Sequence, residues 1–474
     1  MPRRQIRLAA ADGGEVRAGL ARIREELDIA PEFPPEVLAE AAAASAGDGP
    51  RTDRTDLAFV TIDPPGSMDL DQALFIERDG TGFRVHYAIA DVATFVRPGG
   101  AIDLEAHRRG VTMYGPDVRT PLHPPTLSEG AASLLPDGDR PAILWTMRVD
   151  SAGEGVAVEC SRALVRSRAR LDYASVQASL DNGTAEEPLV LLREFGLLRE
   201  ERERVRGGVT LPIPDQEVVE SGDDWTLRYR APLLVEGWNA QVSLMTGMAA
   251  AELMLSGKIG VLRTLPPADP RDLERLRRTA KALRVPWPDG TTYAAFIRTL
   301  DPKEPAHAAL LTSSTVLLRG AGYTSFAGDL PDQPLHAALA SEYSHVTAPL
   351  RRLVDRYALE TCVALSGGAA VPEWVRAALE TVPKEMNEAD GRSHKYERMV
   401  LDLVEAELLK GHEGATFDGV VVDVEKDGSR GHVQLQSPAV EGTLVGTSLP
   451  LGERVTVRLE EANVAKRSLR FVLP

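Results

Sequence analysis

The amino-acid sequence predicts an α+β body followed by a small all-β barrel, and two changes in hydrophobic period carry that prediction. From Leu57 the apolar residues alternate with polar ones in the runs LAFVTI, ALFIE, FRVHYAIA and AILWTMRV, which Pro and Gly clusters separate. A period of two bounded by turn residues is the pattern of strands. Past Tyr173 the period lengthens to that of amphipathic helices, expected at Glu187–Arg206, Pro232–Leu255, Pro270–Leu283, Pro305–Leu318, Ala348–Ala364 and Lys384–Lys410. Strands first and helices afterwards argue for segregated α+β layers. After Gly411 alternation returns in FDGVVVDVE, HVQLQ, ERVTVRLE and LRFVLP. About five short strands in about 60 residues suggest a closed barrel of the OB type.

Ahead of the first strands, Val16, Leu20, Ile23 and Leu27 fall at helical spacing, then come a break at Pro31 to Pro35 and an alanine-rich stretch to Ala46. The expected organisation is a small helical N-terminal region over 1–56, a main domain over 57–411 and a barrel over 412–474. No internal repeat interrupts it.

Several function classes are excluded early. At 474 residues, the chain is long enough for two to four units at roughly 100–200 residues each. No stretch has the apolar length of a membrane span, and the start MPRRQIRLAAADGG has no apolar core of a secretion signal, so a cytoplasmic location is expected. Cys160 and Cys362 lack CxxC spacing or a nearby histidine pair, which leaves packing as their expected role. A net charge of −16 argues against a protein that coats duplex nucleic acid. It does not argue against a single-strand channel, which needs only a local basic lining. No P-loop, GxGxxG or Ser-His-Asp order is present.

The most informative segment is TIDPPGSMDLDQAL, Thr61 to Leu74, which places Asp63, Asp69 and Asp71 within nine residues. In an extended segment Asp69 and Asp71 point to one side, and the Pro-Pro-Gly bend can return Asp63 to meet them. Three converging carboxylates repel unless divalent cations neutralise them, and oxygen-only ligands suit magnesium or manganese. Two such ions can activate water and stabilise the leaving oxygen in phosphodiester cleavage. A solvated Asp-rich turn is the competing reading, whereas a calcium loop is set aside because Met68 and Leu74 stand where it needs Gly and Glu.

Arg351 and Arg352 follow Thr347-Ala348-Pro349, where Thr347 could cap a helix and Pro349 open its first turn. Two guanidinium groups at a helix start hold phosphate well, although a surface helix tied by pairs such as Arg351 with Asp355 has the same appearance. Taken alone, Tyr114 and Tyr173 read as half-buried core residues and Glu236 as a dipole-favoured residue at a helix start. His345 has no metal-ligand partner at useful spacing.

The aspartate segment resembles the catalytic signature of the ribonuclease II (RNB) family, four aspartates in the arrangement D-x5-D-x-D-D. Asp63, Asp69 and Asp71 match the first three, and Gln72 stands at the fourth, keeping a carbonyl oxygen that can ligate but no charge. HYAIADVATFVRPGGAIDLEAHRRGVTMYGPD, ARLDYASV, PLLVEGWNA and YSHVTAPLRRLVDRY resemble further family blocks in the expected order. The resemblance implies magnesium- or manganese-dependent 3′→5′ hydrolysis of single-stranded RNA to nucleoside 5′-monophosphates, with neither DNA nor membrane as partner. It implies metal ligands at Asp63, Asp69, Asp71 and Gln72, and catalytic roles for Asp69, Asp71 and Arg351, the last on the scissile phosphate. RNA contacts are implied at Tyr114, Tyr173, Glu236, Arg352 and Glu397, while the family's stacking phenylalanine falls near Leu211. Family members carry cold-shock barrels before the catalytic domain. Only 62 residues precede Asp63, so a short form without them is expected. The barrel region has nine acidic and seven basic side chains, and Phe417 and Phe471 as its aromatics, a poor stacking groove. Gln72 and Leu211 together leave a non-catalytic RNA-binding or scaffold protein as the alternative.

Overall fold

The computed structural model describes residues 14–211, 215–221, 224–435 and 437–474. Its central feature is a six-stranded sheet in the order Thr52–Asp53, Gly155–Asp172, Phe59–Asp63, Gln72–Asp79, Gly82–Ala90, Asp139–Val149. The long strand Gly155–Asp172 pairs antiparallel with Asp139–Val149 through its first part and parallel with Phe59–Asp63 through its last, so the sheet curls back on itself.

The period-two pattern sorts side chains by size onto the two faces. One face carries Ile62, Ile76, Val85, Tyr87, Ile89 and Trp145 into the main core, with Tyr87 and Trp145 almost wholly enclosed. The other carries Phe59, Ala73, Ala88, Ala90, Ala142 and Ala163 into a second cluster. The small side chains of that second face let the helices Pro35–Ala43 and Ala101–Arg109 approach closely, burying Val37, Ala41 and Ile102. The main-core face takes Leu234–Gly257 and Leu353–Ser366, which bury Trp238, Val242, Met254, Leu359 and Cys362. Each large apolar side chain so enclosed contributes about 1.5–3 kcal/mol. Both cysteines are buried and unpaired, as expected of packing residues.

The first helix spans Gly14–Glu26, and its predicted stripe Val16, Leu20 and Ile23 enters the main core. Gly19 allows that approach: a Cβ there would stand 2.8 Å from Leu403 of the long helix Val382–Leu409.

Two helix expectations need correction. The helix expected from Ala348 begins at Leu353, with Arg352 at the N-cap position, so Thr347 caps nothing. Pro349 disfavours helical backbone at Ala348. The segment instead lies along Val111, with Thr112 N–H donating to Arg351 O at 2.9 Å and Leu353 N–H to Gly110 O at 2.9 Å. Likewise the helix expected to reach Leu318 ends at Ser314 and tightens into a 3₁₀ turn over Thr315–Leu318.

The C-terminal strands Thr416–Val424, Arg430–Leu435, Glu441–Val445, Ser468–Val472 and Arg454–Asn463 form, in that order, the closed barrel that alternation foretold. Val421, Val433, Leu444, Val457, Leu459 and Phe471 fill it. Its first strand also lends Val420 and Val422 to a third cluster with Leu276, Phe296 and Leu310, against which Leu211 packs.

Gly110 ends the helix Ala101–Arg109 at φ +71°, and a Cβ there would lie 2.4 Å from that of Ala389. Gly80 also has positive φ, +64°, but open space around it. Gly110→Ala is therefore expected to cost more in chemical denaturation than Gly80→Ala. Backbone strain alone accounts for about 1–3 kcal/mol, and the steric clash at residue 110 adds to it. Equal losses in the two variants would show that the contact with Ala389 carries no strain.

Candidate active site

Asp63 ends the strand Phe59–Asp63, where the parallel register sets it beside Asp172. Asp172 accepts from Ser175 N–H at 2.8 Å and so caps the helix Tyr173–Asp181. This cap fixes Tyr173 at the helix start, next to Asp63. Burial and the charge of Asp63 push the Tyr173 hydroxyl up to about 12. Asn239 Nδ2 donates to that hydroxyl at 3.4 Å. Asn239 shares the helix Leu234–Gly257 with Glu236, which accepts from Leu233 N–H at 2.9 Å and from Arg230 at 2.6 Å. Glu236 thus closes its own helix start, one turn before Asn239.

After Asp63 the chain turns through Pro64-Pro65-Gly66, with Gly66 at φ +81° and Ser67 N–H donating to Pro64 O. The loop then passes under Ser133, whose hydroxyl donates to Met68 O at 2.6 Å and accepts from Leu70 N–H at 2.9 Å. Leu134 N–H donates to Leu70 O, and Ala90 N–H to Asp71 O. These bonds drive Asp71 inward. Its Oδ1 accepts from Leu350 N–H at 2.7 Å and its Oδ2 from Arg351 Nε at 3.2 Å. Gln72 Nε2 donates to Thr347 O, a second tie to the same segment. Asp355 completes the arrangement, accepting Ala348 N–H at 2.6 Å and a double hydrogen bond from Arg352.

Asp69 faces the other way. Arg119 Nη1 lies 2.6 Å from its Oδ1, and Tyr114 hydroxyl donates to its Oδ2 at 3.4 Å. Arg119 also bonds Glu129. Because Asp69 turns to Arg119 and Asp71 to Arg351, no three His, Cys, Asp or Glu side chains gather as a metal cage among the described residues. The electrostatics nevertheless suit a divalent ion. Burial pushes Asp71 up to about 8, against the lowering influence of Arg351 and Leu350 N–H, and pushes Asp63 up to about 6, against Arg351 and helped by Asp69. Burial disfavours the negative charge of these carboxylates, a nearby cation would offset that cost, and their hard oxygens match magnesium or manganese.

Asp63, Asp69, Asp71, Arg351 and Tyr114 therefore share one neighbourhood, with Tyr173 beside Asp63. Arg352 lies next to them in sequence, but its guanidinium is paired with Asp355. Glu397 accepts from Ser393 one turn earlier on its own helix, at 3.4 Å. His345 is buried against Tyr323, whose hydroxyl lies 2.8 Å from Nδ1, and burial with Arg352 nearby keeps it neutral. Arg119, Ser133 and Asn239 escaped sequence reading, and Asp355, expected as a partner of Arg351, pairs with Arg352 instead. Only Asp355, three residues after Arg352, gave a spacing signal.

An aspartate loop docked on an arginine segment, in an α+β domain with a trailing barrel, defines an RNB-type protein. Residues 51–363 match the RNB domain and residues 415–473 the RNase II-type exonuclease C-terminal S1 domain, and the chain belongs to the RNB family. It is 26% identical to Ribonuclease R of Escherichia coli over 89% of this chain and 57% of that protein. With Ribonuclease R of Aquifex aeolicus it shares 28% identity over 82% of this chain and 56% of that one. With the exosome complex exonuclease dis3 of Schizosaccharomyces pombe the identity is 27%, over 80% of this chain and 41% of that protein. The chain thus spans about half the length of the curated relatives it matches. Among solved structures, the apo form of Mycoplasma genitalium RNase R shares the fold with a TM-score of 0.88 at 22% identity, covering 98% of this chain and 79% of that one. Yeast Ssd1, a pseudonuclease, follows with 0.73 at 15% identity, covering 94% and 57%.

Ser133→Ala should lower stability by about 1–3 kcal/mol, because it leaves the buried Leu70 N–H without its acceptor and frees Met68 O. Equilibrium denaturation checks this. A change within experimental error would mean the aspartate loop is anchored elsewhere.

Proposed function

We propose that this chain is a divalent-metal-dependent exoribonuclease that hydrolyses single-stranded RNA from the 3′ end and releases nucleoside 5′-monophosphates. The observation that supports it best is the buried Asp71, docked on Leu350 N–H and Arg351 beside two further aspartates. Asp63, Asp69 and Asp71, with the carbonyl of Gln72 in reach of the same loop, would hold magnesium or manganese, which supplies Lewis acidity and an activated water. Arg351 orients the scissile phosphate, since a planar guanidinium forks two phosphate oxygens. Tyr114 and Tyr173 offer aromatic faces to bases near the 3′ end. Glu236, close to Tyr173, accepts from a ribose 2′-hydroxyl, which only RNA provides. Arg352 and Glu397 line the approach, and the S1 barrel guides the strand. No described helix is long and apolar enough to cross a membrane, and an RNA substrate fits a cytoplasmic location.

A second reading, an RNA-binding protein that does not cut, is favoured by the Arg119 guanidinium on Asp69 and by Gln72 at the fourth acidic position. The fold shared with Ssd1 is compatible with it.

Asp71→Asn separates the two. The amide keeps an acceptor for Leu350 N–H but removes the charge that a metal and its water require. In single-turnover assays hydrolysis is expected to fall about a thousandfold while RNA affinity holds, a loss of about 4 kcal/mol of transition-state stabilisation. A wild type that never cuts selects the second reading. A variant as active as the wild type removes Asp71 from the chemistry.

Matched RNA and DNA strands give an independent check. RNA should be degraded much faster under the same magnesium and salt. Equal rates would show that no ribose hydroxyl is read.

A further inference from the structure

Arg119 sits between two carboxylates. It belongs to the short strand Arg119–Thr120, paired with Met113–Tyr114 so that Tyr114 and Arg119 stand opposite each other. One small hairpin therefore covers both oxygens of Asp69, with a guanidinium at 2.6 Å on Oδ1 and a phenol hydroxyl at 3.4 Å on Oδ2. One carboxylate of the aspartate loop is thus already taken by a cation of the chain itself.

A divalent ion and a guanidinium cannot both hold that edge of Asp69. Magnesium sits about 2.1 Å from a ligating oxygen, which would put it at contact distance from the Arg119 nitrogens, where two positive charges repel. The structure also provides a place for the guanidinium to go. Glu129 already binds its other nitrogen. Beyond them a cavity of about 570 Å³ is lined by Arg119, Glu129, Glu32 and Phe33, giving room and a second carboxylate on the side away from Asp69. With all three aspartates ionised, the form that ligates a metal, and Arg119 in place, Asp63, Asp69 and Asp71 face the two arginines 119 and 351, leaving one negative charge. With Arg119 withdrawn onto Glu129 they face Arg351 alone, leaving two, which one divalent ion balances.

We propose that Arg119 is a resident counter-ion of Asp69 that exchanges with the divalent cation, Glu129 receiving the guanidinium as the ion enters. The Arg119–Glu129 pair then sets the metal affinity of this chain. The proposal rests on the metal-dependent reading above and adds residues outside the aspartate signature to it.

Manganese binding to the full chain without RNA, followed by electron paramagnetic resonance and calorimetry, tests it. Arg119→Met keeps length and removes charge, so the ion should bind at least about tenfold tighter, less than the unscreened repulsion of two contacting charges would give. Arg119→Lys, which loses the fork that bridges Asp69 and Glu129, should fall between the two. Glu129→Gln removes the receiving carboxylate and should weaken binding several-fold. Thermal melts establish that each variant is folded, and Arg119→Lys serves where the methionine variant is not. Asp71→Asn marks the metal site itself. If the wild type binds manganese, Asp71→Asn abolishes binding and the Arg119 variants bind like wild type, the exchange is wrong while the metal reading stands. If neither the wild type nor any folded Arg119 variant binds manganese, both fail. Tighter binding in Arg119→Met with weaker binding in Glu129→Gln is the result expected.

Discussion

The carboxylate of Asp71 joins two pieces of chain that lie 279 residues apart, and the rest of the site depends on that junction. A buried carboxylate tolerates no vacancy among its partners, because its desolvation is offset only by donors aimed at it. Leu350 N–H and Arg351 meet that need on one side, and the backbone bond from Ala90 N–H to Asp71 O holds the loop on the other. The segment 347–352 makes a single turn, with Arg352 N–H on Ala348 O, and the regular helix begins only at Leu353. The segment is kept out of the following helix by Pro349, by its run alongside Val111 and by Asp355, which takes Ala348 N–H. Arg351 is thereby delivered to the aspartates on a one-turn strap, closed by Arg351 N–H and Arg352 N–H on Ala348 O, just ahead of the helix Leu353–Ser366.

The same logic explains what could be read in the sequence. Alternation and helical period located the sheet, most helices and the barrel, because burial of one face imposes a repeat that survives in the residue order. The sorting of large and small side chains between the sheet faces was present as well, in the alternation of Ala88 and Ala90 with Tyr87 and Ile89. The start of the Leu353 helix was misplaced because Thr-x-Pro is a sound local capping pattern. The bonds that overrule it come from Asp71 and Val111, far away in sequence. For the site, the aspartates and Arg351 were legible through a resemblance in motif. Arg119, Ser133 and Asn239 were not. Each acts through one contact across a large sequence separation, and a lone arginine, serine or asparagine carries no periodicity to betray it.

Gln72 shows how a departure from a motif gains meaning from its surroundings. From sequence alone it is a ligand without charge. In the fold its amide nitrogen donates to Thr347 O, something an aspartate in its usual ionised form could not do. The residue thus adds a second strut between the aspartate loop and the strap that bears Arg351. Loss of one carboxylate also lowers the repulsion that the loop must withstand without a cation.

That last point bears on the relation between metal and fold. Where a metal is the only thing holding several carboxylates together, its removal unfolds the site, since binding energy and folding energy are one quantity. Here two of the three aspartates have a protein cation of their own, Arg351 for Asp71 and Arg119 for Asp69. Burial pushes Asp71 up to about 8, so a proton on it relieves part of the remaining repulsion. The loop is further pinned by Ser133 and Gln72 through uncharged hydrogen bonds that no ion affects. Those bonds hold the aspartate loop without a cation, and under the proposed exchange an entering cation would do work against Arg119 rather than against chain entropy. Affinity for the ion would then be set largely by the Arg119–Asp69 pair, separable from the stability of the domain that presents it.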